Sequence, residues 1–152
     1  MMSREVRGLI HASAGTLALA LIATFWSASV LTLMQGDPAA VAFVKQTIAW
    51  GLLILVPALA GAGGSGFALA GRTPGSLAGR KMRRMKGAAA LGLVVLVPSA
   101  LALASGSLTG RYYATVQGLE LVAGAINMTL LALNLRDGLR MRRAREPARA
   151  GP

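Results

Sequence analysis

The sequence contains no cysteine and only one histidine, His11. Without cysteine there is no disulfide framework, no thiolate metal site and no thiol–disulfide exchange chemistry. One histidine cannot supply both ligands of a bis-histidine haem within a single chain. The sequence also lacks a Ser/His/Asp arrangement, paired carboxylates and any cluster of metal-ligating residues. It therefore favours a protein that is not an enzyme and that has no cofactor or metal.

Acidic residues are scarce as well, with five Asp and Glu against 16 Lys and Arg and a net charge of +11. Such an excess of positive charge can indicate nucleic-acid binding. Here, however, the basic stretches are short, and the few aromatic residues (5%) do not alternate with them. We therefore predict anionic lipid headgroups, and no nucleic acid, as the partners of these charges.

Apolar residues dominate what is present: 55% of the chain is hydrophobic, at a mean hydropathy of +0.60. They form four segments, 9–34, 41–66, 87–108 and 112–135. Each reaches the roughly 20 residues that cross a bilayer, and the first is longer than the apolar run of a signal peptide. The sequence therefore predicts an all-α membrane protein with four transmembrane helices in an antiparallel bundle.

The distribution of positive charge predicts the orientation. Fourteen of the 16 basic residues lie in the N-terminal residues 1–8, the linker 72–86 and the tail 136–152, and only Lys45 and Arg111 lie elsewhere. With four spans, those three stretches share one face of the membrane. The positive-inside rule then makes that face, and both termini, cytoplasmic. The Ala-, Gly- and Arg-rich composition suits a bacterial inner (plasma) membrane.

Proline and glycine indicate local irregularities in these helices. Pro57 and Pro98 each remove a backbone donor within an apolar segment, which predicts kinks in the second and third helices. Residues 61–66 are rich in glycine, which predicts either close helix packing or a local break. The turn at residues 35–38 ends the first helix, and Pro38 is suited to begin the second.

One face of the last apolar segment carries a line of polar or small residues. At about 100° per residue its members fall within about a 100° arc. They are Tyr113, Gln117, Glu120, Gly124, Asn127 and Asn134. Polar groups in hydrocarbon must face protein, water or a ligand, so this polar line should look inward.

Glu120 is the only charged member of the polar line. It lies about 12 Å past Tyr112 along the helix, well inside a core of about 30 Å. Protonation, a cationic partner or a water-filled cavity could each offset the cost of burying it. One hypothesis makes Glu120 a proton- or cation-coupling site, and the other makes it a packing group that holds helices together.

Lys45 is the natural partner of Glu120, because the predicted spans place both at similar depth in helices of the same direction. The competing interpretation, which the shallow position of Lys45 favours, is that the lysine snorkels to the headgroups. His11 is expected to be interfacial or hydrogen-bonded, and Asn127 and Asn134 to bond between helices. Phe25 and Trp26 are expected to pack on neighbouring helices, and small residues to permit close approach: Gly15, Gly92 and Gly124.

Together these features predict a non-enzymatic interaction or accessory subunit. It would assemble through polar and small-residue helix faces, with a second copy or with another membrane protein. The alternative is a small transporter or channel that uses Glu120 as a proton- or cation-coupling site. A third hypothesis, an accessory subunit near a quinone or haem, depends on His11 alone.

Overall fold

Four long helical stretches make up nearly all of the computed structural model, which describes residues 3–70 and 77–145. The elements are α1 (Arg4–Gln35), α2 (Pro38–Ala70), α3 (Leu77–Leu91), a π-helical segment (Gly92–Leu96), α4 (Val97–Ala104) and α5 (Gly110–Arg145). Residues 72–76 of the predicted linker and 146–152 of the predicted tail lie outside the described residues, as do the first two.

The prediction of four helices long and apolar enough to cross a membrane is confirmed. These spans are Arg4–Gln35, Pro38–Leu69, Met82–Ala104 and Gly110–Arg140. Four such helices are the architecture of a multi-pass membrane protein. The helices continue well beyond the apolar segments, and α3 begins at Leu77, so the second half of the basic linker is helical.

Local sequence signals set where α1 and α2 begin and end. The side chain of Ser3 accepts a hydrogen bond from the backbone N–H of Val6 and caps α1. Gly36 ends α1 with a φ of 70°, a left-handed conformation that glycine adopts without steric cost. Asp37 accepts a hydrogen bond from the N–H of Ala39, and Pro38 occupies the first position of α2.

The two intramembrane prolines have different surroundings. Pro57 lies inside α2, which stays helical on both sides of it. Pro98 follows the π-helical segment, where the N–H of Val97 donates to the carbonyl of Gly92, five residues earlier. Pro98 has no N–H, so it donates no backbone hydrogen bond to the turn before it. The π turn, which is wider than an α-helical turn, lies directly before this position.

The glycine-rich end of α2 packs closely and does not break the helix, which continues to Ala70. A Cβ on Gly61 would lie 3.6 Å from the Cβ of Ala14, and one on Gly15 would lie 3.9 Å from the Cβ of Ala62. These contacts bring α1 and α2 together along their small residues, as in membrane helix pairs generally.

Burial in this structure is reversed relative to a water-soluble bundle. Large apolar side chains face outward, among them Met34, Phe43 and Val94, each more than 70% exposed. Buried polar and charged residues lie inside: Ser29, Lys45, Ser99, Gln117, Glu120, Asn127, Asn134 and Asp137. An apolar core joins α1, α2 and α4 through Ala18, Ile22, Ile48, Leu52, Leu55, Ala58 and Ala100. Lipid on the outside and protein on the inside account for both patterns.

Candidate functional site

Glu120 forms a buried ion pair with Lys45. The ammonium of Lys45 donates to Oε2 of Glu120, and the lysine is only 1% exposed. The same ammonium donates to Oγ of Ser29 on α1, at 3.0 Å. The prediction that Lys45 snorkels is therefore wrong: its chain turns into the bundle, where a carboxylate and a hydroxyl replace the water it would otherwise seek.

Gln117 completes this group on α5. Its Nε2 donates to Oε2 of Glu120 at 3.1 Å, and its Oε1 lies 3.5 Å from the hydroxyl of Tyr113. One carboxylate oxygen thus receives two donors, from α2 and from its own helix. We call Lys45, Glu120, Ser29 and Gln117 the Glu120 cluster; it ties α1, α2 and α5 together.

Ser29 is a member of the Glu120 cluster that sequence reasoning missed. It is 2% exposed and faces Lys45 across the α1–α2 interface. The available signal was weak: Ser29 lies one turn after Trp26 and two after Ile22, on the face of α1 that is buried. Nothing in its local sequence separates it from other serines, such as Ser13, that bond only to their own helix.

A cavity of about 60 Å³ adjoins the Glu120 cluster and is touched by all four spans. Apart from Ser29 and Glu120, its lining is apolar or aromatic: Ile22, Phe25, Trp26, Ile48, Leu52, Leu55, Leu96, Ala100, Leu121 and Gly124. Polar groups therefore occupy only one side of this space, which limits the ligands it could hold to small, largely apolar molecules or water.

Phe25 and Trp26 pack against neighbouring helices, as predicted. The ring of Phe25 lies directly over Gly51 of α2, and the indole of Trp26 lies over Gly124 of α5. The indole Nε1–H also donates to the carbonyl of Leu121, at 2.9 Å. Gly124 is thus a packing member of the polar line, because it makes room for the indole.

The other end of the polar line contains two buried asparagines. Asn127 is 1% exposed and Asn134 is 6% exposed. Within residues 3–70 and 77–145, no partner is found for Oδ1 of Asn127 or for either polar atom of the Asn134 side chain. The prediction placed both residues inside correctly, but the expected bonds from these atoms to other helices are absent from the described structure.

A second ion pair lies one turn beyond Asn134. Nη1 of Arg84 on α3 donates to Asp137 at 2.7 Å, and Arg136 approaches the same carboxylate at 3.6 Å. The sequence analysis did not single out Asp137. Its position three residues after Asn134, facing a basic stretch, was the signal that could have identified it.

His11 lies apart from the Glu120 cluster, at the opposite end of α1. Its Nδ1 donates to the carbonyl of Ala62 at 2.8 Å, and its ring lies close to Gly66. It is therefore hydrogen-bonded, one of the two options expected, and it joins α1 to α2.

Among the described residues, no three His, Asp or Glu side chains come together as a metal site would require. The structure thus brings Glu120, Lys45 and Gln117 together and leaves His11, Asn127 and Asn134 elsewhere.

In comparisons with known proteins, no family model, no curated protein and no solved structure matches this chain.

Proposed function

We propose that this chain is a non-enzymatic interaction or accessory subunit of a membrane assembly. The observation that carries the proposal is the internal compensation of Glu120: its charge is balanced by Lys45 and its oxygen is bonded by Gln117. A carboxylate satisfied in this way stabilises helix packing and needs no exchange of protons or ions. In this proposal Glu120 and Gln117 of the polar line serve packing within the chain, which is the second of the two hypotheses for Glu120.

Contacts with a second copy or with another membrane protein would then use the outer surface. Small residues that let backbones approach closely are the usual means of such contacts. A Cβ on Gly64 of α2 or on Gly87 of α3 would meet no atom of the described residues within 4 Å, and both glycines are exposed. These positions support assembly through small-residue faces.

We further propose that the helices alternate in direction and that both termini are cytoplasmic, in a bacterial inner membrane. Contacts from His11 to Ala62 and from Lys45 to Ser29 support opposite chain directions for α1 and α2. Basic residues between and after the spans support the cytoplasmic assignment and contact with anionic headgroups.

Reporter fusions test this topology. Fusions after Lys81 and after Arg145 are expected to report a cytoplasmic position, and fusions after Asp37 and after Ser107 an external one. The physical reason is that Lys and Arg are concentrated around the first two fusion points, in the linker 72–86 and in the tail 136–152. An external C-terminus would contradict the four-span orientation.

A proton-flux assay tests the role of Glu120. We expect the purified protein, reconstituted in liposomes with a pH-sensitive dye, to give no flux above that of empty liposomes. Glu120→Gln keeps the size and most hydrogen bonds of the acid but cannot exchange a proton. Flux in wild type that disappears in Glu120→Gln, with normal reconstitution of the variant, would overturn the proposal. An added ionophore confirms that each preparation can report flux.

The alternative function is a small transporter or channel with Glu120 as its coupling site. The observation that favours it is the cavity beside the Glu120 cluster, which all four spans line. A carboxylate at the edge of such a space could change partners if Lys45 moved away. The same flux assay distinguishes this alternative from the accessory role.

A further inference from the structure

The feature that the Glu120 cluster does not explain is the pair of asparagines on the rest of α5. Both side chains are more than nine-tenths buried, and three of their four polar atoms have no partner in the described part of the chain. A buried amide without a hydrogen-bond partner loses its bonds to water with nothing in return, so native structures rarely leave such groups unsatisfied. Three such atoms on one helix face indicate bound ligands.

The chemistry of an amide identifies the kind of ligand. Asn134 has an unpartnered acceptor, Oδ1, and an unpartnered donor, Nδ2. Interchanging the oxygen and the nitrogen still leaves one acceptor and one donor unpartnered, so either orientation of the amide requires the same kind of ligand. A cation could serve only the oxygen and an anion only the nitrogen. Water both donates and accepts, and it is neutral.

The position of the two residues excludes other occupants. A side chain from another protein could not reach them, because packing within this chain already covers them. Beyond Asn134, Asp137 of α5 and Arg84 of α3 pair with each other. At Asn127, the facing residue is Gly92 of the π-helical segment: a Cβ there would lie 3.9 Å from Nδ2 of Asn127, in ordinary van der Waals contact.

We propose that Asn127 and Asn134 are two internal water-binding sites on the inward face of α5, the first of them facing Gly92 of the π-helical segment. They lie seven residues apart, about 10.5 Å along the helix, and so are separate sites. They lie between the Arg84–Asp137 pair and the Glu120 cluster. This inference does not depend on the proposed function, because bound water is compatible with both a subunit and a transporter.

The composition allows a direct test, because Asn127 and Asn134 are the only asparagines in the chain. Protein labelled with ¹⁵N on asparagine side chains gives two amide signals in liposomes, and Asn134→Ser removes one and so assigns both. Solid-state NMR then measures the transfer of magnetisation from water to each amide. A second sample, labelled on glutamine, supplies matched references; its three signals, from Gln35, Gln46 and Gln117, are assigned in the same way by single substitutions.

Gln117 is a buried amide with a protein partner, and Gln35 is an exposed amide at the end of α1. We expect transfer to both asparagines to approach the rate at Gln35 and to exceed the rate at Gln117 severalfold. A rate equal to that of Gln117 at either asparagine would overturn the site at that residue. If Asn134→Ser fails to fold, Asn127→Ser removes the other signal and gives the same assignment, and the transfer rates themselves are measured on the wild-type chain.

Discussion

Removing either partner of the Lys45–Glu120 pair alone is expected to destabilise the bundle more than removing both. Lys45→Met leaves the carboxylate without its cation, and Glu120→Gln leaves an ammonium beside Ser29 and an amide. Breaking a buried pair by removing one partner costs about 3–5 kcal/mol, because an uncompensated charge stays behind. The double variant leaves no charge and should lose clearly less than the sum of the two single losses.

The measurement is the free energy of unfolding of each variant in detergent, followed by circular dichroism. Arg84→Met and Asp137→Asn, with their double variant, provide a matched control, since Arg84 is about one-quarter exposed and solvent screens that pair. We expect weaker coupling there than in the Lys45–Glu120 cycle. Additive losses in the Lys45–Glu120 cycle would mean that the pair contributes no coupling.

Adding a methyl group at Gly51 or Gly124 is expected to disrupt the packing of α1 on its neighbours. A Cβ on Gly51 would overlap the ring of Phe25, and one on Gly124 would lie 2.9 Å from Cδ1 of Trp26. Overpacking of this kind typically costs about 1–3 kcal/mol. The loss at Gly124→Ala should be the clearer one, because Trp26 is also held by its hydrogen bond to Leu121.

Glycines on the same helices serve as controls for these substitutions. At Gly63 on α2 and Gly118 on α5, an added Cβ would meet no atom of residues 3–70 and 77–145 within 4 Å. Gly63→Ala and Gly118→Ala should be neutral or stabilising by up to about 1 kcal/mol, as for glycine in helices generally. Phe25→Leu combined with Gly51→Ala should recover part of the loss. Equal stability of all four alanine variants would contradict the packing of Phe25 and Trp26.

The structure explains why part of the site could be predicted and part could not. The inward face of α5 follows from helix periodicity and from the exclusion of polar groups from lipid, both local properties of the sequence. Whether Lys45 snorkels or forms an ion pair does not follow from the local sequence. A snorkelling lysine and a paired lysine have the same local sequence, and only the approach of α5 with Glu120 and of α1 with Ser29 decides between them.

The hydrogen-bond partners of the two asparagines and of Asp137 could likewise not be predicted from the sequence. Residue type and spacing predicted that Asn127 and Asn134 are buried, but their bonds depend on which atoms of α3 and the π-helical segment face them. Pairing between Arg84 and Asp137 joins residues 53 positions apart, and the basic stretch offered several equivalent cations.

By itself, the sequence determined that the chain forms four apolar spans and that one face of the last span is polar. Length, hydropathy and periodicity are sufficient for these, because lipid leaves a chain no alternative to satisfying its backbone within helices. The tertiary structure alone decided which distant residues pair: Lys45 with Glu120, Ser29 with Lys45, and Arg84 with Asp137. These pairings depend on distances of a few ångströms between helices, which are set by helix packing and are not encoded in the local sequence.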